Sequence, residues 1–449
     1  MNLQRNNSGF ILLLNLFREA PVGTKLSIRV SVTVAVIFLF LSALPSHGQK
    51  EVELSIRESA FHRLVVIIGE FTTEGKTGDD RRVFDILKHD LEISGLFRVL
   101  DGQELVSDWG DPGNARQKWA TIGADALIEG SIEENRKTNR LEVFVSDLAS
   151  GQVMFRKSFE EPELRNVVHK ASDDIVNRMT GERGIASTKI AFVWHRGGSS
   201  ELYIVDYDGH NPRPIYGPGT LKVCPAWSPD NQFLAFTAFV NAEPDLFLWH
   251  FDDRHARQLT RFPGLVTGAS WSADAKKIAM TLAKDGNSEI YIIHRDGSRL
   301  HRVTRHPAID CSPSWSPSGR ELAFTSDRSG GPQIYVTDID GMEMRRLTFT
   351  GEYNESAAWS PRGDRIAYVA REAGFFDVWV MDPLGRHRRR LTFKGTSNED
   401  PAWGPDGRHL VYVSTRGYTK ELVLTDLSGR LEYVLPLGPG DKEEPTWSP

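Results

Sequence analysis

Six carboxyl side chains stand a few residues ahead of a recurring tryptophan in the second half of the chain. They are Asp310, Glu355, Glu399, Asp400, Glu443 and Glu444. A cluster of carboxylates attracts a cationic peptide face or a divalent ion. Two carboxylates held a few ångströms apart can instead cleave a glycosidic bond. The fold decides between these chemistries, because it fixes which of the six side chains meet.

Other candidates for chemistry are weaker. The runs "DYDG" from Asp206 and "DIDG" from Asp338 resemble the start of a calcium loop. The later ligands and the closing Glu are missing, so a turn explains both runs better. His250 and His294 stand 44 residues apart, and solvated turn positions explain them without a shared metal. The sequence has no G-x-S-x-G, H-E-x-x-H or C-x-x-C motif. No catalytic residue and no metal site is therefore assigned.

The tryptophans belong to a repeat with a period of 44 residues. They are Trp227, Trp271, Trp315, Trp359, Trp403 and Trp447. Two apolar runs keep the same period, as in "FLAF" with "KIAM" and "EIYIIH" with "QIYVTD", and a weaker run ends each unit. Turn chemistry of the Ser-Pro-Asp-Gly type separates the runs. Four short strands in a repeated unit of this length predict a β-propeller.

The ends of the repeat complement each other. The first unit begins with "KIAFVW" at Lys189, and Arg183 stands where its tryptophan should be. The last unit consists of the tryptophan strand alone. We therefore predict that the strand around Trp447 pairs beside "KIAFVW" and closes a ring of six blades, which removes open sheet edges. The loop entering each inner strand would lie at a channel mouth, and the six carboxylates would form one arc there.

Residues 49–180 have a different pattern, typical of a small α/β domain. "RLVVIIGEF" reads as a strand covered on both faces, and "DDRRVFDILKHDLEISG" as a helix ending at Gly95. Strands follow at "LFRVLD" and "ADALIEGSIEE", with a helix at "NARQKWATIG" between them. A hairpin at "RLEVFVSDLASGQVMFRKSF" and a helix before Gly181 complete the domain. No glycine-rich phosphate loop is present, so no nucleotide site is expected. The predicted fold is a multidomain chain, α/β over 49–180 and an all-β propeller over 181–449.

Residues 1–48 read as a secretory signal peptide. A basic stretch precedes the 15-residue apolar run Val30–Leu44, and small Ser46 and Gly48 suit a cut before Gln49. A retained N-terminal anchor is the alternative. After removal of the segment no membrane span is expected, and the net charge falls from -6 to -9, because residues 1–48 carry +3. An acidic chain gives no reason to expect nucleic-acid binding.

The chain has two cysteines, Cys224 and Cys311, in different repeats. We expect two buried, unpaired thiols rather than a disulfide.

This combination of segments resembles the TolB family, the periplasmic propeller proteins of the Tol-Pal system. The resemblance is carried by "LEISGLFRVLD", "IGADALIEGSI", "KASDDIVNRMTGERGIASTKIAFV" and "LYIVDYDGHNPRPI", together with the tryptophan repeat. It covers nearly all of the chain after residue 48. The repeat by itself is shared with other propellers, including those of prolyl-oligopeptidase-like peptidases.

The resemblance implies a non-enzymatic adaptor in the periplasm. In the family the propeller binds the peptidoglycan-associated lipoprotein Pal at a channel mouth, and the N-terminal domain contacts the inner-membrane protein TolA. This activity supports outer-membrane integrity and constriction during cell division. The mature N-terminus switches between bound and free positions, which here would involve Glu51, Val52, Glu53 and Leu54. No cofactor is implied, although a calcium ion in the channel would be compatible.

Two features leave the interpretation open. Glu444-Pro445 and Asp400-Pro401 fit the Glu-Pro pattern that the family has before the repeat tryptophan, whereas Ser312-Pro313 departs from it. The acidic residues also allow a second hypothesis, a secreted propeller hydrolase or lyase that acts on a carbohydrate or lactone at the channel mouth.

Overall fold

The computed structural model describes residues 63–74, 79–109, 115–134, 137–215, 221–240 and 243–449. The proposed signal peptide and the segment Glu51–Leu54 lie outside these ranges. Within them, no helix combines the length and the apolar character that a membrane crossing requires. Cys224 and Cys311 are both unpaired thiols, as predicted, but only Cys311 is buried, whereas Cys224 is partly exposed.

The first part of the described chain contains a five-stranded sheet and four helices. The strands are β1 (Leu64–Glu74), β2 (Phe97–Asp101), β3 (Ala126–Glu134), β4 (Asn139–Asp147) and β5 (Val153–Glu161), in the order β2-β1-β3-β4-β5. The helices are α1 (Asp79–Ile93), α2 (Gly102–Trp109), α3 (Ala115–Thr121) and α4 (Leu164–Thr180). The predicted strands and helices are present, and α2 is an additional helix that the sequence analysis did not anticipate.

The long helices α1 and α4 pack together with the sheet to form one apolar core. Val83, Leu87 and Leu91, spaced four residues apart on α1, are all fully buried in it. Helix α4 ends at Gly181, whose φ of 73° closes the last turn in the left-handed conformation. The chain then crosses to the propeller.

The remaining strands form six four-stranded antiparallel sheets, here called blades 1 to 6. The strands up to the third blade are β6 (Lys189–Arg196), β7 (Ser199–Asp206), β8 (Arg213–Ile215), β9 (Lys222–Trp227), β10 (Phe233–Val240), β11 (Glu243–His250), β12 (His255–Gln258), β13 (Val266–Trp271), β14 (Lys277–Leu282), β15 (Glu289–His294) and β16 (His301–Arg302). The later strands are β17 (Asp310–Trp315), β18 (Glu321–Ser326), β19 (Gln333–Asp338), β20 (Met344–Arg346), β21 (Tyr353–Trp359), β22 (Ile366–Glu372), β23 (Phe375–Met381), β24 (Arg389–Arg390), β25 (Ser397–Trp403), β26 (His409–Arg416), β27 (Thr419–Asp426), β28 (Tyr433–Val434) and β29 (Asp441–Trp447).

Blade 1 is built from both ends of the propeller sequence. Its strand order is β29-β6-β7-β8, while blades 2 to 6 each take four consecutive strands. Trp447 lies opposite Ile190 in the antiparallel ladder, and the Ser448 amide donates to the Lys189 carbonyl over 2.8 Å. The prediction of a six-bladed propeller closed by the C-terminal strand is therefore confirmed.

The tryptophan repeat joins one blade to the next. Each tryptophan ends the inner strand of its blade, and the indole N–H of Trp271 donates to the Ala226 carbonyl of the preceding blade over 3.0 Å. Trp315 and Trp403 make the equivalent bond to Ser270 and Ala358. A large side chain with one donor suits these three positions, because the ring fills the space between sheets while its N–H stays paired. In these three blades the period thus reflects a repeated contact with the preceding blade. Trp359 donates instead to the Gly363 carbonyl of its own blade, and the Trp227 indole N–H has no hydrogen-bond partner among the described residues.

Candidate functional site: the channel mouth and the domain junction

The six tryptophan strands, β9, β13, β17, β21, β25 and β29, contact one another in turn around the central channel. Each has a bulge at the same place, three residues before its tryptophan, where the backbone turns to a positive φ. The residues at this position are Cys224 (52°), Gly268 (61°), Ser312 (54°), Ser356 (53°), Asp400 (51°) and Glu444 (52°). The channel wall therefore has a ring of six bulges.

The bulge has a cause in the sequence. Proline follows the bulged residue in four blades, at Pro225, Pro313, Pro401 and Pro445. A proline has no N–H to give to the ladder, so inside a sheet it is confined to edges and bulges. A left-handed backbone costs a residue other than glycine about 1 to 2 kcal/mol. Asp400 and Glu444 thus adopt a strained backbone conformation that glycine would adopt without this energetic cost.

The six predicted carboxylates lie within the inner strands, so the expectation that they occupy the entering loops is wrong. They also stand at three different distances before their tryptophans. Asp310 is five residues ahead, whereas Glu355, Glu399 and Glu443 are four ahead. Asp400 and Glu444 are the bulged residues, three ahead. Because side chains alternate along a strand, these three positions do not all face the same surroundings.

Asp310 and Glu355 stand apart from the other four. Asp310 is completely buried and accepts two hydrogen bonds from the Arg328 guanidinium, at 2.9 and 2.7 Å. Glu355 is 7% exposed and accepts a hydrogen bond from the Tyr353 hydroxyl over 3.1 Å. Both carboxylates are therefore engaged within the propeller wall.

The other four carboxylates come together on the adjacent strands β25 and β29. We call this group the acidic arc: Glu399, Asp400, Glu443 and Glu444. Glu443 is compensated by His195 Nε2 at 2.9 Å and Lys420 Nζ at 2.5 Å. Burial alone would raise the pKa of Glu443, but these two cations lower the pKa to about 2.

Asp400 and Glu444 lack such compensation. Burial, followed by the charges of Glu399 and Glu444, raises the pKa of Asp400 well above its usual range. Burial also raises the pKa of Glu444, although its carboxylate accepts a hydrogen bond from the Cys224 amide. A cationic group placed in the channel would relieve this repulsion, so the acidic arc is suited to bind one. Carboxylate oxygens also suit Ca²⁺, and the calcium ion remains an expectation.

Four exposed aromatic side chains lie at the same end of the propeller, on blades 4 to 6. Phe349 and Phe393 lie in the connections that lead into β21 and β25. Phe375 is the first residue of β23, and Tyr418 lies in the turn before β27. All four are more than half exposed. These connections all lie at the end where inner strands begin. We call the four residues the aromatic rim; the sequence analysis missed them, although Phe349 and Phe393 share the 44-residue spacing.

The opposite mouth is covered by the N-terminal part of the chain. A cavity of about 380 Å³ there is lined by the six repeat tryptophans and by Arg183 from the linker after α4. The His409 Nε2 at this end lies 2.9 Å from the Ile93 carbonyl, at the end of α1, and Arg362 pairs with Glu182. The acidic arc and the aromatic rim therefore lie at the mouth that the N-terminal domain leaves open.

A buried polar cluster fastens the two parts of the chain to each other. We call it the junction cluster: Asp90, Arg165, His169, Tyr207 and Asp208. Asp90 accepts hydrogen bonds from Tyr207 (2.6 Å), from Ser172 (2.7 Å) and, through Oδ2, from His169 Nδ1 (2.8 Å). Arg165 donates to Asp208 over 3.0 Å. The α/β domain supplies Asp90, Arg165 and His169, and the propeller supplies Tyr207 and Asp208.

Asp90, His169 and Asp208 also have the residue types and spacing of a metal site, with their ligand atoms within 4.8 Å of one another. Protein donors already occupy both carboxylates, since His169, Ser172 and Tyr207 donate to Asp90 and Arg165 donates to Asp208. The His169 Nε2 has no hydrogen-bond partner within the described part of the chain and lies 3.5 Å from Asp208. The Arg165 cation next to the site would also repel a metal ion. The arrangement is therefore better suited to holding the domains together.

Two buried histidines between the domains make stability depend on pH: His169 of the junction cluster, and His409, which contacts the Ile93 carbonyl. Burial alone would lower the pKa of His169 and of His409, but Asp90 and Asp406 outweigh it and raise both pKa values above 6.5. The stabilising contribution of these histidines is complete below their unfolded pKa and is lost as the pH rises through the folded pKa. The pKa values of Asp208 and Asp406 are lowered, so their contribution is lost only at acid pH.

We therefore expect the thermal unfolding temperature to be highest near pH 5 to 6 and to fall from pH 6 to 9. Scanning calorimetry across this range measures the trend, and a His169→Gln/His409→Gln double variant should flatten it. His195→Gln is the control variant, because it removes a histidine that pairs with Glu443 away from the domain junction. Burial lowers the pKa of His89, so this histidine changes the pH dependence of stability in the opposite direction. An unchanged slope in the double variant would refute this role of the junction.

Two family models match the chain, the TolB amino-terminal domain over residues 52–154 and the TolB beta propeller domain over residues 176–449. Among curated proteins, the Tol-Pal system protein TolB of Legionella pneumophila (strain Philadelphia 1) is 30% identical over 219 residues, which are 47% of this chain and 50% of the relative. That of Anaeromyxobacter sp. (strain K) is 34% identical over 236 residues, 51% of this chain and 54% of the relative.

Among solved structures, the crystal structure of TolB from Acinetobacter baumannii superimposes with a TM-score of 0.75 at 27% identity. The superposition covers 86% of this chain and 97% of the Acinetobacter baumannii chain. The chain spans about half the length of the curated relatives it matches.

Proposed function

This chain belongs to the TolB family, and on that premise we propose that it is a non-enzymatic interaction protein of a Tol-Pal-type envelope complex. It works in the periplasm, where it links the peptidoglycan-associated outer-membrane lipoprotein Pal to inner-membrane Tol components. By doing so it supports outer-membrane integrity and constriction during cell division. The relatives named above are Tol-Pal system proteins, which supports the assignment to such a complex.

The observation that carries the proposal is the difference between the two channel mouths. One mouth is covered by the linker at Arg183 and by the contact between His409 and Ile93. The other presents the acidic arc and, at the same end of the propeller, the aromatic rim. Exposed aromatic side chains beside charged groups are typical of protein-binding surfaces. We therefore place the Pal-binding surface at the open mouth, with a cationic group of Pal entering the acidic arc.

An adaptor also fits the state of the carboxylates better than a hydrolase or lyase does. A glycosidase pair needs one carboxyl group kept protonated and the other free to act as base or nucleophile. The ionised Glu443 is tied to both His195 and Lys420, and Glu444 accepts from the Cys224 backbone. These contacts would have to break before either group could act on a substrate.

The mature N-terminus has a separate role in the proposal. Glu51, Val52, Glu53 and Leu54 belong to the segment that would contact a TolA-like protein and switch between bound and free positions. The match to the TolB amino-terminal domain begins at residue 52, within this segment. Deleting residues 49–56 should therefore remove binding of the TolA-like protein and leave the Pal-binding surface in place.

Photo-crosslinking in living cells tests the proposed location of the Pal surface. A photoreactive phenylalanine replaces Tyr418, which is fully exposed in the aromatic rim, or, as control, Val153, which is 59% exposed on the edge strand β5. We expect an adduct with Pal from position 418 and none from position 153. An adduct only from position 153 would place the partner on the other domain and contradict the proposal.

A further inference from the structure

An acid, an arginine and a threonine recur together at the outer edge of the blades. In blade 3, Glu289 accepts a hydrogen bond from Arg302 over 2.8 Å and another from Thr304 over 2.6 Å. In blade 5, the Asp377 carboxylate pairs with Arg390 over 2.7 Å and accepts from Thr392 over 2.9 Å. In both blades the arginine Nε also donates to the carbonyl of that threonine. In each blade the carboxylate contacts one outer nitrogen of the guanidinium, Nη2.

Blade 4 keeps the arginine and the threonine but replaces the acid by Gln333. The Gln333 side-chain oxygen accepts from Thr348 over 2.7 Å and from Asn354 over 3.1 Å, and its amide donates to the Gly351 carbonyl. Arg346 retains the Nε bond to the Thr348 carbonyl. Within the described chain it has no ion pair at 4.0 Å or less, so its outer nitrogens lack the carboxylate that Arg302 and Arg390 have.

Arg346 lines an open groove between blades 4 and 5. The groove has a volume of about 1020 Å³. Glycines at positions 330, 331, 351 and 374 line it, and because they have no side chains they leave it open to solvent. A second guanidinium, that of Arg371, lines the same groove and stacks on Phe376 at 5.5 Å. Glu352 and Glu372 also line it, and Glu372 accepts a hydrogen bond from Arg388.

We propose that this groove binds a carboxylate, supplied by an acidic side chain of the protein that docks on the open mouth. The two outer nitrogens of a guanidinium match a carboxylate in a paired, planar geometry. In blades 3 and 5 a carboxylate of the protein itself pairs with the arginine. In blade 4 no such carboxylate of the described chain pairs with Arg346, so a carboxylate of a ligand can bind there. The inference rests on the proposed function for the identity of the docking protein, Pal.

The acidic arc and the groove at Arg346 would together give the open mouth a negative and a positive binding site. The acidic arc on β25 and β29 takes a cation of the partner, and Arg346 on β20 takes an anion. Groups of opposite sign at separate points fix the orientation of a docked protein and disfavour partners with the wrong charge pattern.

The decisive variant is Gln333→Glu, because it supplies Arg346 with the internal carboxylate that the neighbouring blades already have. It should fold normally, since Glu289 and Asp377 occupy the equivalent positions. Arg346→Gln removes the guanidinium instead. Gln152→Glu, on the exposed loop after β4, adds the same charge far from the groove and is the matched control. Glu352→Gln removes a nearby negative charge.

Binding of the soluble domain of Pal is measured by calorimetry for each full-length mature variant. We expect Gln333→Glu and Arg346→Gln each to weaken binding about 10-fold, as befits one charge-assisted hydrogen-bonded contact. Gln152→Glu should leave binding unchanged, and Glu352→Gln should strengthen it. Equal affinities for Gln333→Glu and Gln152→Glu would overturn the inference and leave the proposed function intact.

A second probe separates the groove from the proposed partner. N-acetylglutamate amide is titrated into the protein at millimolar concentration while the arginine Nε–Hε signals are followed by NMR. A shift of the Arg346 signal in the wild type that is absent in Gln333→Glu supports the carboxylate site even where Pal fails to bind. An identical response in both proteins, or none in either, overturns it.

Discussion

Removal of residues 441–449 is expected to unfold the propeller at 37 °C. This segment is strand β29, the inner strand of blade 1, and its loss would leave β6 as an open edge against the channel. Trp447 is 6% exposed and donates its indole N–H to Thr188 over 2.7 Å. Loss of one buried tryptophan costs about 3 to 5 kcal/mol, and the whole ladder to β6 is lost with it. Domain stabilities are only about 5 to 15 kcal/mol.

Calorimetry and limited proteolysis of the truncated chain measure this effect. A Trp447→Phe variant is the matched control, because it keeps the strand and loses only the indole hydrogen bond and part of the buried ring. It should melt at a lower temperature but still cooperatively. A synthetic peptide of residues 441–449 should restore part of the lost stability by filling the gap. A truncated chain that melts like the full-length protein would contradict closure by β29.

Neutralising the two bulged carboxylates should weaken Pal binding about 100-fold and stabilise the free protein. In Asp400→Asn/Glu444→Gln the cation of the partner would lose its counter-charge, and close buried charge pairs at interfaces couple by about 1.5 to 7 kcal/mol. The same change removes buried charges that repel one another; burial, followed by this repulsion, raises the pKa of Asp400 in the wild type. A binding defect accompanied by a higher unfolding temperature cannot be explained by misfolding.

Calorimetric titration and thermal unfolding of the same samples test this prediction. The control is Asp296→Asn/Asp340→Asn, which makes the same change in charge at exposed turns of the covered mouth. We expect the control to bind Pal with unchanged affinity. If both double variants lost affinity equally, the effect would be one of overall charge, and the acidic arc would have no specific role.

Much of the architecture could be predicted because it follows from local patterns. The 44-residue period, the turn residues between strands and the complementary end units specify six blades and their closure. Helix α2, Gly102–Trp109, was missed because it is short and directly follows β2. Its start is set by Asp101, whose side chain accepts hydrogen bonds from the Gln103 and Glu104 amides. A helix cap of this kind is easily taken for a turn.

The candidate site was less predictable, because it depends on β-bulges in the inner strands and on contacts between residues that are far apart in the sequence. The acidic residues were found, but the sequence analysis treated their positions as equivalent. The bulges place Asp400 and Glu444 differently from Asp310, and only the repeated proline at Pro401 and Pro445 hints at them. The junction cluster joins Asp90 to His169, 79 residues away, and to Tyr207, 117 residues away. No local pattern relates such residues.

The most direct test of the central claim is a calorimetric titration of residues 49–449 with the soluble domain of Pal from the same organism, at pH 5.5 and pH 8. The proposed function predicts binding that is tighter at pH 8, because Asp400 and Glu444, with their raised pKa values, must be ionised to hold a cation. It also predicts that Asp400→Asn/Glu444→Gln abolishes this pH dependence. No binding at either pH, or binding that the double variant leaves unchanged, would contradict an adaptor that uses the open mouth.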